Sequence, residues 1–287
     1  MAPKKIKKLE VMVADVIRET PDTSTLIFFT GNDTLDYKPG HFCTIAPQQF
    51  DALARWTAYL EDRKGRKEPP RAYSLASAPH EKHLAITVKE ERYVSGVTDH
   101  PPLLSPPLVY RTQPGSRMEI TGFTGPYVMP DDIEDRTDHV VHICAGSGIV
   151  PNWSMLKHCL AANMKLKHTL IYGNKTWQDV IYRKGLEDLE KAYPGKVKVV
   201  HALSREEGLE SNGGAVKGRV DEALIRRHIP DPSAVEVFAC GPAVSKHEKK
   251  KAKETGVEPS PRFMETVKAA LDAIGLPKER NHAESYG

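Results

Sequence analysis

The sequence is poor in cysteine. Four residues, Cys43, Cys144, Cys159 and Cys240, are scattered over 287 positions. No two form a C-x-x-C pair and no four cluster, which excludes a zinc ribbon and an iron–sulfur cluster held by this chain. A disulfide framework is excluded by the same scarcity at this size. Long apolar runs are also missing. None approaches the roughly 18 residues of a membrane span. Charge of one sign is absent too: 41 Lys and Arg face 38 Asp and Glu, a formal net charge of +3. That balance does not suit a protein that coats nucleic acid. The basic start, Met1-Ala2-Pro3-Lys4-Lys5, is followed by no apolar stretch, so no signal peptide is expected. The twelve histidines contain no H-x-x-x-H or H-E-x-x-H spacing, so no metal site is expected. These absences point to a soluble, cytoplasmic protein with reduced thiols.

What is present is a two-domain chain. Its length is about twice that of a usual domain, and its 22 prolines imply many loops and turns. The first part reads as short strands: Leu9 to Ile17, Thr25 to Phe29, His41 to Ala46, Arg71 to Ala76, Leu84 to Val88 and Met118 to Thr121. Gly31-Asn32-Asp33, Lys38-Pro39-Gly40 and Gln113-Pro114-Gly115 are turn signals between them. The pattern predicts an antiparallel barrel or sandwich. Gln48 to Glu68 interrupts it, with helical character over Phe50 to Leu60. Pro101-Pro102 and Pro106-Pro107 bracket Leu103 to Ser105, which is expected to be irregular.

After a polar boundary at Asp131 to Asp138 the pattern changes. Val140 to Ala145, Thr169 to Tyr172, Val197 to Ala202 and Val235 to Ala239 are apolar runs suited to strands buried on both faces. Helical stretches alternate with them: Asn152 to Ala162, Gly185 to Ala192, Arg219 to Arg227 and Phe263 to Ile274. This predicts a doubly wound parallel sheet. The domains are therefore expected at 1–134 and 135–287, with insertions at about 47–69 and 243–261.

Three short motifs carry chemistry. Cys144-Ala145-Gly146-Ser147-Gly148-Ile149-Val150-Pro151 follows a strand and opens a helix. Its glycines allow close approach of a pyrophosphate to a helix N-terminus, and Pro151 suits the first turn. An ordinary Gly-rich turn would read the same way, because the third glycine of the dinucleotide fingerprint is missing. Arg71-Ala72-Tyr73-Ser74 offers a phosphate-binding guanidinium, a stacking ring and a hydroxyl in one extended segment. By itself it also fits a plain strand with a surface arginine. Cys240-Gly241-Pro242 ends the last clear strand, where an open α/β sheet binds its ligand. A buried thiol before a turn is the plainer reading. Trp56, Trp153 and Trp177 read as packing residues, and His139 and His142 need no ligand.

Taken in order, the three motifs resemble those of the ferredoxin–NADP reductase superfamily. Arg71-Ala72-Tyr73-Ser74 matches its R-x-Y-[S/T] motif, Gly146 to Pro151 its G-x-G-x-x-P motif and Cys240-Gly241-Pro242 its C-G-P motif. The likeness covers the whole chain. Tyr172-Gly173-Asn174-Lys175 and Leu203-Ser204-Arg205-Glu206 are most like the reductase components of bacterial oxygenases, such as phenylacetyl-CoA epoxidase and ketosteroid hydroxylase reductases. Those carry a ferredoxin-like domain after the reductase part; this sequence stops at Gly287 without one. The resemblance implies an antiparallel FAD-binding β-barrel followed by a doubly wound, parallel-sheet nucleotide-binding domain.

It also implies residue roles. Arg71 binds the FAD pyrophosphate, Tyr73 packs on the isoalloxazine or ribityl chain, and Ser74 lies near flavin N5. Ile86 and Val88 belong to the strand that lines the flavin. Tyr286, in a terminal E-x-[F/Y] pattern, shields the other flavin face. Gly146, Gly148 and Pro151 face the nucleotide pyrophosphate. Cys240, with Gly241 and Pro242, sits near nicotinamide C4. Ser204 and Arg205, helped by Lys175, hold a 2′-phosphate; no acid stands at that strand end, although Asp179 lies nearby. NADPH is therefore expected over NADH.

Three departures stand out. The G-x-x-S flavin-phosphate element is reduced to Ser105 in Leu104-Ser105-Pro106. Gln48 to Glu68 is inserted ahead of the flavin motif. About twenty residues separate C-G-P from its helix at Phe263, and they include Lys246, Lys249, Lys250, Lys251 and Lys253. These lysines read either as a solvated surface helix or as a dock for an acidic partner.

The implied activity is hydride transfer from NADPH to FAD, then electron transfer to a separate acceptor. That acceptor is a ferredoxin, an oxygenase component or a flavodoxin. A diffusible flavin reductase and a non-catalytic flavoprotein subunit are the alternatives.

Overall fold

The computed structural model describes residues 8–31, 35–93, 98, 100–209 and 215–286. The basic start Met1 to Lys5 and the turn residues Asn32 and Asp33 lie outside them, as do the side chains of Lys246 and Lys250. The chain divides between Val128 and Met129 into two units.

The first unit contains β1 (Leu9–Thr20), β2 (Thr23–Phe29), β3 (Phe42–Ile45), α1 (Ala54–Lys64), β4 (Arg71–Ser74), β5 (Leu84–Lys89), α2 (Ser105–Tyr110) and β6 (Arg117–Thr124). Its strands pair in the order β4-β3-β6-β1-β2-β5, all antiparallel. A further antiparallel bridge, Leu75 to Ile86, joins the two ends of the sheet. Inward residues alternate along the strands, Val11 and Val13 in β1, Leu26 and Phe28 in β2, Cys43 and Ile45 in β3, and fill one apolar core. The Pro-flanked segment departs from expectation. Ser105 starts a helix rather than ending an irregular stretch, because proline is tolerated in a first turn, where its missing N–H has no intrahelical partner.

The insertion folds as α1 and is held down by amides. Gln49 both accepts from Glu119 N (2.6 Å) and donates to Glu119 O (2.9 Å), pairing with β6 as a strand would. Gln48 Nε2 bridges Glu61 (2.9 Å) and the Glu68 carbonyl (2.8 Å).

The second unit contains α3 (Ile133–Arg136), β7 (His139–Ala145), α4 (Ile149–Ala161), β8 (Lys167–Asn174), α5 (Arg183–Ala192), β9 (Val197–Leu203), β10 (Ala215–Lys217), α6 (Glu222–His228), β11 (Val235–Pro242), α7 (Lys246–Thr255), α8 (Phe263–Ala273) and β12 (Asn281–Tyr286). All six strands are parallel, in the order β10-β9-β8-β7-β11-β12. Leu224 and Ile225 of α6 and Val267 and Leu271 of α8 bury against Val141, Ile171 and Val237 of the sheet. Strand order reverses between β7 and β11, and a parallel sheet opens its binding crevice at such a switch point.

β12 is unannounced by the sequence. Its residues Asn-His-Ala-Glu-Ser-Tyr show no apolar alternation. It is held by a buried acid instead. Glu236, wholly buried, accepts from Arg136 Nε (3.1 Å) and His282 Nε2 (2.8 Å), and pairs with Arg280 at 3.4 Å. The His282 ring stacks on Phe238 at 4.4 Å.

Candidate functional site

At the switch point two motifs meet backbone to backbone. Gly148 closes the short 3-10 turn Gly146–Gly148 that leads into α4. A Cβ on Gly148 would be driven into the Cys240 carbonyl and would come within 2.9 Å of Gly241 Cα. Gly146 has space around it but a φ of +53°, a conformation that costs a side-chain-bearing residue. Gly241 is needed for a third reason: the ring of Phe263, first residue of α8, occupies the space its side chain would take. The helix displaced by the insertion thus returns to C-G-P. The turn is held from beneath by Tyr172, fully buried, whose hydroxyl donates to Gly146 O (2.9 Å). Pro151 lies buried in the first turn of α4. A helix start reached through a glycine turn can receive a phosphate-bearing ligand.

One register row crosses the carboxyl ends of the strands. Tyr172 is paired with Cys144, Cys144 with Cys240, and Cys240 with Glu284. Burial raises the Cys144 and Cys240 thiols well above their ordinary range, so both are neutral and inert as nucleophiles. Burial also pushes the Glu284 carboxyl up to about 7, and its Oε2 has no hydrogen-bond partner among the described residues. Glu284 was not singled out from the sequence. Its signal was the same E-x-[F/Y] pattern that marked Tyr286. Tyr286 is half-buried in β12, opposite Pro242, and its carbonyl accepts from Ala243 N (3.2 Å).

At the ends of β8 and β9, Ser204 N and Oγ both donate to Asn174 O (3.0 and 3.3 Å), and Arg205 N donates to Lys175 O (2.8 Å). This ties the two loops together. The nearby acids are committed. Asp179 accepts from Thr176 N (3.0 Å), and Glu206 accepts from Trp177 N (2.7 Å). Lys175 and Arg205 are exposed and pair with no carboxylate among the described residues. Arg183 lies over the Trp177 ring at 4.4 Å.

In the first unit, β4 places Arg71 and Tyr73 on one face by strand alternation, both half-buried, with Ser74 buried next in the chain. Burial raises the Tyr73 hydroxyl far above its usual range, so it stays protonated. Arg71 donates to the Glu68 carboxylate at 2.9 Å, and Lys64 of α1 pairs with the same group. Glu68 is almost wholly buried; burial pushes its carboxyl up, but the two cations hold it below the ordinary value. The insertion thereby reaches the R-x-Y-S motif, a link the sequence did not show. Ile86 and Val88 put their side chains into the barrel core and leave only backbone to face a ligand. Ser105 Oγ accepts from Glu91 N (3.0 Å).

The family described as Oxidoreductase NAD-binding domain matches residues 142–247. The ferredoxin reductase component of 3-ketosteroid-9-alpha-monooxygenase from Mycolicibacterium smegmatis is 30% identical over 285 residues, covering 97% of this chain and 65% of that protein. One of the subunits of 1,2-phenylacetyl-CoA epoxidase from Escherichia coli is 29% identical over 160 residues, 53% of this chain and 38% of that one. Among solved structures, the FAD/NAD-binding domain of nitric oxide dioxygenase from Vibrio cholerae has a TM-score of 0.72 at 22% identity, covering 98% of this chain and 99% of that one. Ferredoxin-NADP+ reductase from Plasmodium falciparum has a TM-score of 0.67 at 21% identity, covering 97% and 96%. The chain thus shares the fold of the ferredoxin–NADP reductases, an antiparallel barrel followed by a parallel nucleotide-binding sheet. It spans only 65% of the length of the ketosteroid-monooxygenase relative.

Proposed function

We propose that the protein is an FAD-dependent NADPH oxidoreductase that hands electrons to a separate acceptor protein. The close packing of Gly148 on Cys240 and Gly241 at the switch point carries this reading. That packing brings the start of α4 and the C-G-P turn together at the carboxyl ends of the strands, where a doubly wound sheet takes its ligand. When bound, FAD supplies the conversion of a two-electron hydride into single electrons. The chain's own residues bind, orient and hold protons. Arg71 and Tyr73 present a guanidinium and a ring to the flavin, and Ser74 offers a hydroxyl donor. Ser105 belongs to the flavin-phosphate side, and the backbone of Ile86 to Val88 borders the flavin. Gly146, Gly148 and Pro151 shape the pyrophosphate cradle. Cys240, buried, neutral and polarisable, lies behind the C-G-P turn near the nicotinamide, while Glu284 beside it can hold a proton near neutral pH. Tyr286 covers the ring face.

NADPH is favoured over NADH because Lys175 and Arg205, exposed and in no ion pair among the described residues, frame Ser204, while Asp179 and Glu206 are spent on backbone N–H groups. The acceptor is an acidic protein such as a ferredoxin or oxygenase component. Exposed Lys249, Lys251 and Lys253 on α7 support an acidic partner. All four cysteines are free, which supports a reducing, cytoplasmic setting. No helix among the described residues is long and apolar enough to cross a membrane.

The test is anaerobic mixing of FAD-loaded protein with NADPH. Rapid bleaching of flavin that stays bound through gel filtration is expected. Slow or absent bleaching sinks the oxidoreductase reading, and loss of flavin on the column favours a diffusible flavin reductase.

A further inference from the structure

Beneath the glycine turn lies a line of three buried polar side chains that the proposed reaction does not use. His142 of β7, Asn152 of α4 and His168 of β8 are each 1% exposed. Burying three such groups is costly without a role or full satisfaction. Asn152 Nδ2 donates to the Gly148 carbonyl at 3.2 Å. Its Oδ1 must therefore accept, and His142 Nδ1 supplies that proton at 2.9 Å. Burial drives the His142 pKa down to about 4, so the ring is neutral at physiological pH and its Nε2 is an acceptor. His168 Nδ1 then donates to it at 3.2 Å. Burial likewise keeps His168 neutral, and its Nε2 has no hydrogen-bond partner among the described residues. Every proton in the line points the same way, from His168 through His142 and Asn152 to Gly148 O.

We infer that His168, His142 and Asn152 form a positioning relay that fixes the Gly148 peptide, and with it the first turn of α4, for the nucleotide pyrophosphate. The inference rests on the nucleotide reading above. Gly148 is held on one side by the Cys240 backbone and on the other by this line. Hydrogen bonds strung head to tail polarise one another, so the far ring strengthens the contact at the glycine. A purely structural role would show in stability alone and leave dinucleotide affinity unchanged.

The test uses three variants of the FAD-loaded protein, Asn152→Leu, Asn152→Asp and His168→Phe, with NADP+ and NAD+ as probes in calorimetric titrations. Asn152→Leu removes both links. Asn152→Asp keeps the acceptor for His142 but loses the donor to Gly148. Both are expected to weaken the preferred dinucleotide about tenfold, the worth of one well-placed hydrogen bond, and His168→Phe about threefold. Adding His168→Phe to Asn152→Leu should cost nothing more in affinity, because the line is already cut. If melting temperatures fall while dissociation constants stay at the wild-type value, the relay is structural only and the inference is overturned. If Asn152→Leu does not fold, the question is decided by His168→Phe, which lies two side chains from the turn. If the wild-type protein binds neither NADP+ nor NAD+, the nucleotide reading itself falls, and the relay with it.

Discussion

The ring of Phe263 fills the space that any side chain at Gly241 would need. The two residues are separated by the lysine-rich insertion, yet they pack as sequence neighbours would. Gly241→Ala is expected to destabilise the second unit by about 1–3 kcal/mol through overpacking. Phe263→Leu in the same chain should recover part of the loss. Urea unfolding of the two single variants and the double variant checks this; additive losses would show that the residues do not compete for one space.

Glu236 anchors the strand that carries Glu284 and Tyr286. Its carboxylate is wholly buried among Arg136, Arg280 and His282. Removing it leaves the Arg136 and Arg280 guanidinium groups without their carboxylate. Glu236→Ala is expected to cost about 3 kcal/mol or more. Hydrogen exchange should show β12 opening before the rest of the sheet. Unchanged protection of Asn281 to Tyr286 would contradict the anchoring role.

Glu284 sets a pH dependence with a definite sign. Burial raises its folded carboxyl to about 7, against an ordinary value of 4.5. Between these values the folded state holds more protons than the unfolded one. The group's contribution to stability is therefore lost as pH rises through that window. Wild type should lose more stability than Glu284→Gln on going from about pH 5 to about pH 8 in urea melts. Equal losses would mean that this carboxyl ionises normally.

On the proposed reading, Arg205 and Ser204 select NADPH over NADH. Arg205→Ala should lower kcat/KM for NADPH by about tenfold or more and leave NADH nearly untouched, since a guanidinium–phosphate pair is charge-assisted. A parallel fall with both coenzymes would place Arg205 elsewhere than at the 2′-phosphate.

The local motifs were legible because each is a statement about backbone. A glycine pair after an apolar strand, a Gly-Pro after another, and a β-branched run with turns around it all follow from short-range rules. Ser105 misled, because its flanking prolines suit a helix start as well as a break. β12 could not be read, because an edge strand held by Glu236 needs no apolar alternation of its own. Glu68 beside Arg71, Glu284 beside Cys240 and Asn152 beneath Gly148 were equally hidden. Glu284 meets Cys240 only through strand register; Glu68 and Asn152 are sequence neighbours of Arg71 and Gly148, but spacing alone does not say which side chain turns toward which.

The register row has a consequence for biosynthesis. Cys144, Cys240 and Glu284 are neighbours across β7, β11 and β12 but lie far apart along the chain. The ribosome must deliver the chain through β12 before they can meet. A nascent or clipped chain that has completed β7 to β9 still lacks this row, which forms only when β11 and β12 have joined the sheet.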